Sequence, residues 1–330
     1  MVRRETDIRA RVEAVDLAKL AAAAAVVWIH VTNCATSREL LPLCRFAVPF
    51  FTCAAVYFVL HKVSSARVPF RAYCLERARR LYVPFLVWSA IYLAARLVKH
   101  FVLGFGSPIV FSPALLLNGT THHLWFLPFI CLISVVTFGL ANIFGTPQPG
   151  REPRWMLAFL IAGSVLAELP CPIILETTAF PLSYFVDHLW DALPSAFFGA
   201  ALFMMLRIII PGTALRAIVL VIGVFSLFIE FASGIHPLAA HLAGASLLFL
   251  TCTQANRDWM KSLWPWAQLA FVIYLVHVLF VEALQAIANR FGSTRSLAAD
   301  LSVWALSFVF SAVIAKALSL RPSFHWIFPR

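Results

Sequence analysis

Between Val15 and Asn33 the chain runs VDLAKLAAAAAVVWIHVTN, an apolar stretch of about 20 residues, the length that crosses a bilayer as a helix. Stretches of this kind recur to the end of the chain. Ten are marked out, at 14–33, 42–61, 81–99, 123–141, 155–172, 189–206, 214–232, 236–253, 265–288 and 300–319. In hydrocarbon a backbone must satisfy its own hydrogen bonds, so continuous runs of this length predict helices. Polar and apolar positions do not alternate along them, which argues against a β-barrel. The predicted class is an all-α polytopic membrane protein with about ten transmembrane helices.

Composition agrees. Of 330 residues, 62% are hydrophobic and only 12% charged, and the mean hydropathy is +0.87, values that exclude an ordinary soluble domain. The net charge of +11 reads as topology. With the N-terminus in the cytoplasm, inner segments collect Arg3, Arg4, Arg9, Arg11, the basic residues from Lys62 to Arg80, Arg151, Arg154, Arg207, Arg216, Arg257, Lys261, Lys316, Arg321 and Arg330. Only Arg38, Arg45, Arg96, Lys99, Arg290 and Arg295 fall outside. This asymmetry places both termini in the cytoplasm and leaves nucleic acid without a claim as partner. The first run is interrupted by Asp16 and Lys19 and is read as a retained span, not a cleaved leader. The short GTPQPGREPR segment, Gly145 to Arg154, is an inner loop and not a linker. A single integral-membrane domain is therefore expected over 1–330, with a cytoplasmic tail at 1–13 and a C-terminal tail at 320–330. Cys34, Cys44 and Cys171 lie near the outer face and are free to pair, but nothing requires it, and no metal-ligand spacing occurs.

Charge inside a span needs a reason. Lys19 and His30 are eleven positions apart, about three helical turns, so they share a face some 16 Å apart along the axis. Asp16, three positions before Lys19, can pair with it. The plainer reading has Lys19 snorkelling to the inner interface and His30 capping the outer helix end. Ionisable groups within spans are nonetheless functional candidates by default. Tyr274 and His277 share a face in mid-span. Trp125, at the start of a span, reads first as a bilayer anchor, and Glu230 as a solvated residue at an outer helix end.

Five ordered segments resemble membrane-bound acyltransferase family 3. They are DLAKLAAAAAVVWIH, with Lys19, ten residues and His30; CRFAVPFF, with Arg45, Pro49, Phe50 and Phe51; YCLERARRLYVPF, with Arg77, Arg80 and Pro84; HHLWFL, with His123 and Trp125; and FVIYLVHVLF, with Tyr274 and His277. Ala54-Ala55 replaces the Ser-Gly usual after the second segment. The resemblance implies an O-acyltransferase (EC 2.3.1.-) of the bacterial inner, cytoplasmic membrane. It implies an acetyl group moved from cytoplasmic acyl-CoA to a hydroxyl of an extracytoplasmic sugar, glycolipid or polysaccharide, with succinyl as an alternative. Acetyl-CoA would be a co-substrate and no cofactor would be held permanently. His30 would be the general base, with Asp16 and Lys19 holding the donor's inner end and Arg45 stabilising the oxyanion. Lys19, Arg77 and Arg80 would meet the phosphates of CoA, since arginine forks match phosphate. His123, Trp125, Tyr274 and His277 would line the acceptor site. The rival is a proton-coupled transporter with Asp16, Lys19 and His30 as its relay, and behind it a non-catalytic scaffold. Neither the His-x-x-x-x-Asp signature of soluble acyltransferases nor a Gly-x-Ser-x-Gly elbow occurs.

Overall fold

The computed structural model describes residues 2–31, 33–65, 68–101, 111–146, 152–170, 182–234, 236–254, 258–290 and 296–321. These form α1 (Val2–Val31), α2 (Ala35–Leu40), α3 (Ala47–Ser65), α4 (Phe70–Arg77), α5 (Val83–Phe101), α6 (Leu115–Asn118) and α7 (Phe126–Phe144). Then follow α8 (Glu152–Glu168), α9 (Leu182–Ile208), α10 (Thr213–Ser233), α11 (Pro237–Thr253), α12 (Asp258–Ala267), α13 (Ala270–Arg290) and α14 (Leu297–Ser319). No strand occurs among the described residues, so the all-α polytopic class holds. Among the described residues eight segments are long and apolar enough to cross a membrane. The other two expected spans, 155–172 and 236–253, are the 17-residue helices α8 and α11.

α1 is central. In its spanning window 56% of residues are buried, against 17% for α10, whose Ile218, Val221, Phe225 and Phe228 face outward as lipid-contacting side chains must. α1 packs against α3, α11, α12, α13 and α14. Its buried alanines, Ala18, Ala22, Ala23 and Ala25, let neighbouring backbones approach, as small residues do between membrane helices. The same device holds α3 between α9 and α11: a methyl group on Gly199 would meet Cys53 O at 2.5 Å, and one on Gly244 would meet Phe50 N at 2.6 Å. Polar bonds tie the layers. Trp304 Nε1 donates to Ala24 O at 2.9 Å, joining α14 to α1. Buried Ser195 and His241 meet at 2.6 Å between α9 and α11.

Two expectations are corrected. The third span starts well before residue 81: it is helical from Phe70 to Phe101, so most of the basic stretch from Lys62 to Arg80, expected between spans, belongs to α3 or α4. A π-helical turn at Ala78–Tyr82 joins α4 to α5, with Val83 N–H bonding Ala78 O. Pro84 explains it. A proline supplies no N–H and collides with the carbonyl four residues back, and a widened turn accommodates it without ending the helix. The span expected at 265–288 is broken at Gln268–Leu269, after Pro265, into α12 and α13. Exposed Trp259, Leu263 and Trp266 on α12, beside the exposed Lys261–Asp258 pair, suit a helix lying in the membrane interface.

Candidate active site

Three histidines far apart in sequence converge where α1 ends. His30 is in the last turn of α1. His123 stands in the 3-10 turn His122–Trp125 that leads into α7, and His277 in α13. Their ring centroids are 5.9 Å apart for His30–His123, 5.2 Å for His30–His277 and 5.1 Å for His123–His277. Each is held from behind. Tyr274 Oη donates to His123 O, and Tyr92 packs edge-on to the His123 ring at 5.2 Å while donating to Leu275 O at 2.8 Å. Gln285 Nε2 lies 3.4 Å from both His30 O and Val31 O, partners that the last carbonyls of a helix otherwise lack. Asp300 Oδ2, buried, accepts from Asn33 N and Cys34 N at 3.1 Å each and fixes the chain just beyond.

Two details define the chemistry. His277 Nδ1 is 2.7 Å from Tyr274 O, and a carbonyl only accepts, so the proton sits on Nδ1 and Nε2 is left as an acceptor. Nε2 of His277 and of His123 are buried without a hydrogen-bond partner. His123 and His277 are 4% and 0% exposed, whereas His30 keeps partial access. One imidazole of the three therefore meets an incoming group, and two stand behind it with lone-pair or N–H capacity in reserve.

The turn that carries His123 depends on Gly119. Its φ of 74° and ψ of −176° lie where only glycine is comfortable, and a methyl group there would approach Leu124 Cβ to 2.7 Å. The Asn-Gly before Thr-Thr-His-His was the available signal for this turn. Nothing in the apolar run around Tyr92 marked it as a neighbour of the site.

The other expected residues fall in separate places. Lys19 Nζ is 2.8 Å from Asp16 Oδ1 and 5.7 Å from the Phe58 ring centroid, and Trp264 Nε1 donates to Asp16 Oδ2 at 3.1 Å. This polar group lies on α1 about 16 Å along the axis from His30. Arg77 lies over the Tyr73 ring at 5.0 Å with its buried Nε unpartnered, and Arg80 is 3.4 Å from Glu76, which also takes Lys62 at 2.8 Å. Glu76 thus draws one of the expected phosphate-binding cations, Arg80, onto itself, together with the neighbouring Lys62. Arg45 is paired with Glu230 at 2.7 Å, and no contact among the described residues joins it to the three imidazoles. Glu230, expected in solvent, is 0% exposed and also accepts His236 N–H at 3.1 Å. It is a buried counter-ion because α10 turns that face toward Arg45. Trp125, expected at the bilayer surface, is buried with its ring 4.8 Å from His188. Cys34 and Cys44 are free thiols, and Cys171 lies outside the described residues. Among the described residues no three His, Cys, Asp or Glu side chains converge as a metal-ligand set.

The comparisons with known proteins complete the picture. No curated protein and no solved structure gives a significant match. The profile described as an acyltransferase domain matches residues 12–320, from the first helix through the last. It spans the Lys19, His30, His123 and His277 segments alike, and with them the whole helical bundle. The chain accordingly belongs to acyltransferase family 3 and is a membrane acyltransferase.

Proposed function

We propose that this enzyme moves an acetyl group from acetyl-CoA to a sugar hydroxyl at the His30 end of α1. The observation that carries the reading is the histidine cluster, in which His30 alone keeps access while His123 and His277 present unpartnered Nε2 atoms behind it. A neutral imidazole takes the proton of the acceptor hydroxyl as its oxygen attacks the thioester carbonyl. The carbon–sulfur bond then breaks, and the proton passes from the imidazolium to the departing CoA thiolate. His277, its Nδ1 proton engaged by Tyr274 O, offers Nε2 to orient the His30 ring or the acceptor hydroxyl. Every proton removed is returned, so no permanent cofactor is needed.

The positive-inside asymmetry puts the Lys19 end in the cytoplasm and His30 toward the far side of an inner membrane. The CoA nucleotide then approaches near Arg77 and Arg80, and its narrow arm spans the ~16 Å between Lys19 and His30. The acceptor is an extracytoplasmic glycan, a sugar or a lipid-linked oligosaccharide. The family membership supports transfer chemistry over the transport alternative.

The test uses purified protein in lipid nanodiscs with radiolabelled acetyl-CoA. Wild type should release CoA and label acceptor, and His30→Ala should lower kcat about 10²- to 10⁴-fold, the usual contribution of a positioned base. A His30→Ala protein that acylates at the wild-type rate would end the reading.

A further inference from the structure

Beside the histidines is a cavity of about 440 Å³, within the range of roughly 300–1,000 Å³ common for ligand sites. Its walls include Arg96, Lys99, Asn118, Thr121, Tyr184 and Glu282. Amide, hydroxyl, carboxylate and cationic groups line it beside the rings of Tyr184 and His122, a lining suited to the many hydroxyls of a sugar. The cavity abuts the cluster. Thr121, in its wall, places Oγ1 3.3 Å from His123 Nδ1.

The two cations in this wall differ. Lys99 Nζ is 3.3 Å from Glu282, so its charge is partly answered. Arg96 Nη1 donates to Thr120 O at 2.8 Å, a neutral partner that fixes the guanidinium plane, and no carboxylate among the described residues pairs with it. Thr120 is itself anchored, its Oγ1 donating to Ser89 O at 2.8 Å. A guanidinium has five N–H donors, and its free edge matches a carboxylate or phosphate in a two-pronged contact. Partial withdrawal from water strengthens that attraction.

We propose that this cavity holds the acceptor, and that Arg96 selects sugars bearing an anion, a carboxylate or a phosphate, over neutral ones. The proposal rests on the reading that the enzyme acylates a sugar hydroxyl beside His30. The anion docks on Arg96, and the hydroxyl to be acylated lies toward Thr121 and the imidazoles. Neither the residue nor the cavity takes part in the proton transfer, so binding and chemistry can be measured apart.

Saturation-transfer NMR on the full chain in zwitterionic nanodiscs, without acetyl-CoA, tests it with three probes: methyl glucuronide, glucose 6-phosphate and methyl glucoside. At least one anionic probe should bind tenfold or more tightly than the glucoside. A response to glucuronide alone indicates a uronic acid, and one to the phosphate alone a phosphosugar. Arg96→Gln should erase the difference, Glu282→Gln should preserve or increase it, and His30→Ala should leave it unchanged. Equal binding of all three probes to the wild type overturns the proposal, without need of any variant. So does a charge preference that survives Arg96→Gln. Charge-selective binding that Arg96→Gln abolishes, with no transfer to any acceptor when acetyl-CoA is added, would instead refute the catalytic reading and leave the cavity's selectivity standing.

Discussion

Replacing Gly119 with alanine tests whether the histidine cluster depends on the turn that delivers His123. The backbone there, φ 74° and ψ −176°, costs an L-residue about 1–3 kcal/mol. The new methyl would also lie 2.7 Å from Leu124 Cβ and 3.1 Å from the Phe85 ring, against a favourable carbon–carbon separation of about 3.5–4.0 Å. Leu124 must then retreat by roughly 1 Å, adding about 1–3 kcal/mol of overpacking. Leu124 directly follows His123 in the same 3-10 turn, so the displacement reaches the cluster. A misplacement of about 1 Å can cost on the order of 100-fold in rate. Gly145 supplies the control: its φ is also 74°, with ψ 164°, and nothing lies within 4 Å of the position a methyl would take. Gly145→Ala should therefore show the backbone cost alone, with activity retained. The assay is kcat for acetyl transfer, measured with thermal denaturation in the same nanodiscs. Equal stability losses in both variants, with Gly119→Ala fully active, would refute the geometric argument.

Two further outcomes follow from the ion pairs. Glu230→Ala should destabilise the bundle by about 1–3 kcal/mol, below the ~3–5 of a wholly buried pair because Arg45 is partly exposed, and joint replacement of Arg45 and Glu230 by methionine should recover much of it. Mixed-micelle unfolding would read this, and activity in the double variant would assign Arg45 to structure in place of oxyanion stabilisation. Glu76→Gln should release Lys62 and Arg80 for phosphate and lower KM for acetyl-CoA severalfold, with a steeper salt dependence; an unchanged KM would remove this surface from the donor site.

Hydropathy alone located the main helices, because a chain in hydrocarbon has few ways to satisfy its backbone. Helical periodicity alone put Asp16 beside Lys19, and the structure has them 2.8 Å apart, since such pairs depend only on local geometry. Where helices begin, break or widen is not set by local periodicity. Pro84 lies inside the span expected at 81–99, but nothing in that run shows that the helix begins at Phe70 and passes through a π-helical turn ahead of the proline, a widened ladder that neighbouring helices hold. Trp125 and Glu230 were assigned to the surface because tryptophans and carboxylates near span ends usually lie there. A tight turn after Gly119 and the facing of α10 toward Arg45 carried both inside. Most of all, the meeting of His30, His123 and His277 belongs to tertiary structure. Each imidazole was visible in the sequence as a polar residue in an apolar run, but the three come from three different helical segments, and contact between them is set by how those segments pack together.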